Sequence, residues 1–133
     1  MSQENVEIVR AALDASSRGD SEAFIEALDT AIEWTPVEED PDYRVHRGLA
    51  DVVAWLAEWS EVFPDMRWKA ERIVDAGDSV VVALVRALGR GDATGADVGS
   101  VAYAVVFTVS SGKIVRIDES QTETALKAVG LRE

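Results

Sequence analysis

The hydrophobic pattern of this chain changes its period once, near Pro64, and this change limits the folds that it can adopt. Before that point apolar residues recur every three to four positions, as in amphipathic helices. After it they alternate, as in strands. Helices followed by a run of strands are typical of an α+β domain rather than of repeated βαβ units. Because 133 residues suit one domain of common size, we expect a single α+β domain over residues 1–133.

The first half of the sequence predicts three helices and one short strand. The expected helices cover residues 4–17, 21–28 and the stretch from Gly48 to Pro64, and the strand covers residues 31–35. Gly19 can end the first helix in a left-handed conformation, and the Asp20 carboxylate can cap the second. Asp51 should lie in the first turn of the third helix, where a negative charge favours the helix dipole.

The second half predicts four strands, at residues 67–74, 79–88, 101–109 and 114–120, and a short final helix at residues 123–129. Short turns between consecutive strands are typical of an antiparallel meander. Several positions expected on the outer face of this sheet are apolar: Ala83, Val85, Ala87, Ala102, Ala104 and Val106. An exposed apolar face of this size predicts a homodimer.

Charge and composition exclude several classes of partner. The chain has 25 acidic and 13 basic residues, a net charge of −12, and no basic stripe, so phosphate backbones and anionic membranes should repel it. Without cysteine and with one histidine, neither disulfides nor a two-histidine metal site can form. The glycines of the 89–99 stretch precede no helix start, so no phosphate loop is expected. Neither a cofactor nor a metal ion is expected. The N-terminal residues carry no signal-peptide pattern, which predicts a cytoplasmic protein.

The order of elements, together with local strings, resembles the SnoaL-like branch of the nuclear-transport-factor-2-like superfamily. The strings are RGDSEA at 18–23, IEWTP at 32–36, HRG at 46–48, GDSVV at 77–81, GKIVR at 112–116 and ALKAVGL at 125–131. The resemblance covers nearly the whole chain. It implies a curved antiparallel sheet wrapped around N-terminal helices, as a cone-shaped, cystatin-like α+β barrel. It does not imply one activity, because the superfamily holds isomerases, cyclases, hydrolases and non-enzymes.

Two activities of the superfamily are not expected from the residues present. Ketosteroid isomerases carry an oxyanion-hole tyrosine where this chain has Ala12, and a general-base aspartate where it has the 34–36 segment. Their second oxyanion acid has no counterpart in the 101–107 strand. Limonene-epoxide-hydrolase-like enzymes use an Arg-x-Asp, and the nearest match here places Leu88 at the aspartate position. Both reactions need those aimed donors and acceptors.

Glu119 and His46 remain as candidate acid/base residues. The resemblance, aligned through residues 112–114, implies that Val115, Ile117, Glu119 and Gln121 point into the cone. Burial disfavours the charged form of a carboxyl group and suits it to proton transfer near neutral pH. If the register slips by one residue, Asp118 takes the inward position instead. His46 lies before the third helix, in a loop expected near the cavity mouth, and its ordinary pKa suits acid/base work.

Aromatic residues suggest the walls of a pocket for a flat, small apolar or polyketide-like ligand. The expected ligand-binding residues are Trp34, Trp55, Tyr103, Phe107, Ile117 and Gln121. The leading interpretation is a small-molecule-binding domain with an apolar, aromatic-lined pocket. One alternative is a cofactor-free polyketide-cyclase-like, isomerase or hydrolase enzyme with one pocket acid/base. The other is a structural dimerisation module with a filled cavity.

Overall fold

The computed structural model describes residues 2–37, 43–62, 67–88 and 101–120, which form an α+β fold with its helices in the N-terminal half. The helices are α1 (Ser2–Ser17), α2 (Ser21–Glu26) and α3 (Leu49–Val62). The strands are β1 (Leu28–Thr35), β2 (His46–Arg47), β3 (Arg67–Gly77), β4 (Val80–Leu88), β5 (Val101–Ser110) and β6 (Lys113–Ser120). The expected fold class is confirmed, while the final helix predicted at 123–129 lies outside the described residues. None of these helices is long and apolar enough to span a membrane.

The six strands form one mixed, open sheet in the order β2-β1-β6-β5-β4-β3. The predicted meander of β3 to β6 is confirmed, since each consecutive pair is antiparallel. The expectation of a wholly antiparallel sheet needs one correction. Strand β1 runs parallel to β6, with Trp34 opposite Ile117. These strands are far apart in sequence, so no tight turn dictates their relative direction.

Local signals place the helix break and the last hairpin where the sequence predicts them. Gly19 has a φ of +76°, and the Asp20 carboxylate accepts a hydrogen bond of 3.1 Å from the Ala23 N–H at the start of α2. Ser111 and Gly112 join β5 to β6 with φ values of 52° and 80°. Positive φ at both central residues produces a turn whose twist matches that of the flanking strands.

The core lies between the helices and one face of the sheet, which we call the inner face. Its members on β4 are Val81, Ala83, Val85 and Ala87, all fully buried. Ala83, Val85 and Ala87 were expected on the outer face, and that expectation is wrong. Apart from Arg86 on the outer face, both faces of β4 carry apolar side chains, so the alternation of its residues is a weak indication of which face is covered. The expectation holds for β5, where Ala102, Ala104 and Val106 share the outer face with Arg86, Leu84 and Val82.

A bulge in β6 decides which of its side chains face inward. Val109 pairs with Ile114, but Thr108 pairs with Arg116, so Val115 is the extra residue of the β6 strand. Ile114 is therefore fully buried in the place that Val115 was expected to occupy. Beyond the bulge the alternation resumes. Ile117 and residue 119 then point inward, as the resemblance implies.

Candidate functional site

One end of the inner face gathers residues from five strands. The end of β1, the start of β3, the end of β4, the start of β5 and the end of β6 meet there. This follows because β3 to β6 are a meander and β1 is parallel to β6. We call this region the aromatic end and define it by Trp34, Trp55, Trp68, Tyr103 and Glu119. Trp55 belongs to α3, and the others are inner-face residues of the sheet.

The aromatic rings of this region contact one another in a continuous cluster. The ring of Trp34 lies 5.2 Å from that of Trp55, edge to face, 5.7 Å from that of Trp68 and 6.0 Å from that of Phe24. Trp68 in turn lies 6.2 Å from Tyr103. These separations suit attractive pairing of aromatic rings. Trp34 and Trp55 are buried, whereas Trp68 and Tyr103 are partly exposed, so the cluster reaches the surface at the latter pair.

The Glu119 carboxylate is the acidic group of the aromatic end. Glu119 pairs with Val105 on the inner face, and its Oε2 accepts a hydrogen bond of 2.5 Å from the Trp34 indole Nε1. Asp118 lies on the outer face and accepts a hydrogen bond of 2.9 Å from Arg116. Of the two registers considered from sequence, the structure therefore has Glu119 inward.

His46 lies in strand β2 rather than in a loop at a cavity mouth, which corrects its expected placement. It pairs with Trp34, and its side chain is fully buried. The imidazole stacks on Trp55 with ring centres 4.2 Å apart and planes 19° from parallel. Two residues are too short a strand to show a period in the sequence, and the covering Trp55 comes from another element. The role of His46 as an acid or base stays a prediction.

Asp51 connects the aromatic end to the start of α3. Its Oδ2 lies 3.8 Å from His46 Nδ1 and accepts hydrogen bonds of 3.2 Å from Arg44 Nη1 and from the Arg47 backbone N–H. The Arg44 hydrogen bond is the main reason that the pKa of Asp51 lies below its ordinary value, and partial desolvation opposes it. The position of Asp51 in the first turn was predicted from sequence. The Arg44 contact was not.

The remaining predicted ligand-binding residues divide by depth. Phe107 and Ile117 are fully buried on the inner face, within the core, and Gln121 lies outside the described residues. Trp55 is also buried, and its indole N–H has no hydrogen-bond acceptor within the described ranges. Trp68, which is absent from the expected ligand-binding residues, is a partly exposed member of the cluster. Its place as the first inner-face residue of β3 is the sequence signal that could have identified it.

A concave region lies at the other end of the sheet from the aromatic cluster. It has a volume of about 400 Å³ and is lined by Gln3, Glu4, Asn5, Glu7, Ile8 and Gly112. This lining joins the start of α1 to the β5–β6 turn and contains no aromatic ring. Within the part of the chain that the structure describes, no group of three His, Asp or Glu residues is placed to hold a metal ion. The aromatic end is therefore the stronger candidate site.

Comparison with known proteins supplies a family and several similar structures. The sequence model described as SnoaL-like domain matches residues 9–117. An NTF2-like protein from Burkholderia thailandensis is 28% identical with a TM-score of 0.76, covering 97% of this chain and 98% of that one.

Two further structures are similar in fold at lower identity. A putative SnoaL-like polyketide cyclase from Jannaschia is 19% identical, with a TM-score of 0.73 and coverage of 98% and 94%. TerC, co-crystallised with polyporic acid, is 18% identical, with a TM-score of 0.76 and coverage of 95% and 97%. No curated protein matches the chain.

Proposed function

We propose that this chain, which belongs to the SnoaL-like domain family, binds a small, flat and largely apolar molecule at the aromatic end. The observation that carries the proposal is the combination of partly exposed Trp68 and Tyr103 with the inward Glu119 carboxylate. By contrast, the described inner-face side chains of β4 are buried aliphatic groups, and β4 therefore offers no polar group there to orient a ligand. Binding sites typically pair apolar walls with a few placed polar groups.

The two buried tryptophans add support. The Trp34 N–H is committed to Glu119, whereas the Trp55 N–H has no acceptor among the described residues. A buried donor without an acceptor costs about 1–3 kcal/mol. A ligand oxygen that reached it would recover that cost. Two proteins of similar fold, a putative polyketide cyclase and TerC with polyporic acid, also favour a small-molecule ligand.

The test is a thermal-shift and fluorescence screen of planar aromatic compounds, starting with polyporic acid. A ligand present at a hundred times its Kd should stabilise the fold by about 2.7 kcal/mol, a readily measured rise in Tm. Trp68→Ala and Tyr103→Ala should weaken binding at least tenfold. Tyr43→Ala is the matched control, because Tyr43 is exposed and lies outside the cluster. Full affinity in both cluster variants would place the ligand elsewhere and refute the proposal.

A second candidate function is cofactor-free proton transfer with Glu119 as the acid/base. The hydrogen bond from Trp34 favours it, because a catalytic carboxylate must be held in one orientation. Once a substrate is found, Glu119→Gln should lower turnover by about two to four orders of magnitude while the ligand still binds. Asp118→Asn, the adjacent carboxylate on the outer face, is the matched control. Undiminished turnover in Glu119→Gln would leave His46 as the acid/base candidate.

The proposed assembly is a homodimer formed through the outer face. Its apolar members on β4 and β5 are Val82, Leu84, Ala102, Ala104 and Val106. Such a face supports association of two copies, because apolar surface gains from leaving water. If screening finds no ligand while the dimer proves stable, the structural dimerisation module becomes the better interpretation.

A further inference from the structure

The indole N–H of Trp55 is a buried donor that the packing of the aromatic end does not explain. Trp55 is 6% exposed, and its Nε1 has no hydrogen-bond acceptor within the described ranges. The neighbouring Trp34 is also buried, but its N–H is donated to the Glu119 carboxylate. Buried indole N–H groups usually have such an acceptor. The two tryptophans therefore differ in a way that their burial alone does not account for.

The groups packed around Trp55 are poorly placed to accept its proton. The N–H lies in the plane of the indole, whereas the His46 ring is stacked above that plane, with ring centres 4.2 Å apart. Asp51 Oδ2, beside His46, accepts two other hydrogen bonds at the start of α3. The Trp34 ring, at 75° to that of Trp55, offers at most a weak π acceptor. The described residues thus supply no strong acceptor for this donor.

From this arrangement we propose that Trp55 is the specificity-determining residue of the aromatic end, and that its N–H donates to a carbonyl oxygen of the ligand. The inference rests on the proposed binding function and names its ligand class, a neutral and planar aromatic ketone or quinone. Trp34 contacts both Trp55 and Trp68, so the donor lies one ring inward from the partly exposed Trp68. A ligand that rests on Trp68 and Tyr103 reaches the N–H by extending inward past that ring.

The chemistry of the donor favours a carbonyl over other oxygen groups. An indole N–H only donates and a carbonyl oxygen only accepts, so one hydrogen bond satisfies both groups. A hydroxyl would bring a proton that needs an acceptor of its own. A carboxylate would have to lose its hydration among aromatic rings, which is far more costly for a charged group than for a neutral one. A hydrocarbon of the same shape would gain the apolar contacts but leave the N–H without an acceptor.

A ketone and its parent hydrocarbon, 1-indanone and indane, test this assignment because they differ only in a carbonyl and a methylene group. Their affinities are measured by NMR titration of the isotope-labelled full chain. Water solvates the ketone better, so the informative quantity is the ratio of the two affinities. Trp55→Phe should lower the ketone-to-hydrocarbon ratio by roughly two- to twelvefold, the equivalent of one net hydrogen bond. Trp59→Phe, the same substitution one helical turn along α3, is the matched control and should keep the wild-type ratio.

The wild-type protein gives a second readout, which decides the question even if Trp55→Phe does not fold. Indanone should move the indole N–H signal of Trp55 downfield, as hydrogen bonding does, whereas indane should not. The signal is assigned through its proximity to the His46 ring.

The outcomes separate this inference from the proposed function. An unchanged ratio in Trp55→Phe, with binding of both probes lost in Trp68→Ala, would overturn the role of Trp55 while the binding function stands. A Trp55 signal that indanone does not move would also overturn it, because an enclosed water or the Trp34 ring would then be the partner of the N–H. Failure of both probes and of the planar panel to bind would overturn both.

Discussion

The hydrogen bond between the Trp34 indole and the Glu119 carboxylate should appear as a coupling in the free energy of unfolding. A hydrogen bond to a charged group contributes about 1.5–3 kcal/mol, and because Glu119 is only partly buried we expect the lower limit, about 1.5 kcal/mol. Trp34→Phe also removes packing from a fully enclosed ring. We take this as roughly half the 3–5 kcal/mol of complete truncation, so the single variant should lose about 3–4 kcal/mol.

A double-mutant cycle isolates the bond from the packing. Urea unfolding of the wild type, Trp34→Phe, Glu119→Ala and the double variant is followed by far-UV circular dichroism, which does not depend on Trp34 as a reporter. The packing losses cancel around the cycle, leaving a coupling of about 1.5 kcal/mol. The exposed Arg116–Asp118 pair gives the reference cycle, for which about 0.2–1 kcal/mol is expected. A Trp34–Glu119 coupling below about 0.5 kcal/mol, the margin of ordinary additivity, would refute the reasoning.

Three further predictions follow from the rest of the fold. The Arg44 hydrogen bond lowers the pKa of Asp51, so Asp51 should stabilise the fold fully above about pH 5, and that stabilisation should disappear as the pH falls through its lowered pKa. Unfolding of Asp51→Asn at pH 7 and pH 3 checks this, and an unchanged deficit at pH 3 would contradict it. Val106→Arg should convert the expected dimer to a monomer in light scattering at micromolar concentration, whereas a wild-type monomer would refute the outer-face dimer. Purified protein should not isomerise a Δ5-3-ketosteroid, because Ala12 and the carboxylate-free β5 lack the required groups, and turnover that persists through purification would show otherwise.

Local features of the fold could be predicted because neighbouring residues generate them. The Asp20 cap, the Gly19 helix end and the Ser111–Gly112 turn each depend on a few consecutive residues whose backbone preferences are known. The alternation of β5 likewise indicates its inner face, since its two faces differ in the size of their side chains. The inward position of Glu119 came instead from the family resemblance, aligned through residues 112–114.

Only the tertiary structure decided which distant segments meet. The parallel pairing of β1 with β6 and the covered side of β4 depend on partners far along the chain. The bulge at Val115 likewise appears only when β6 is paired with β5. The candidate site follows the same division. The sequence supplies a carboxylate and several aromatic residues, but the Trp34–Glu119 hydrogen bond joins residues 85 positions apart, and the stacking of His46 on Trp55 joins two separate elements. Such contacts depend on chain closure and on competition among many apolar faces, and no short window of sequence contains that information.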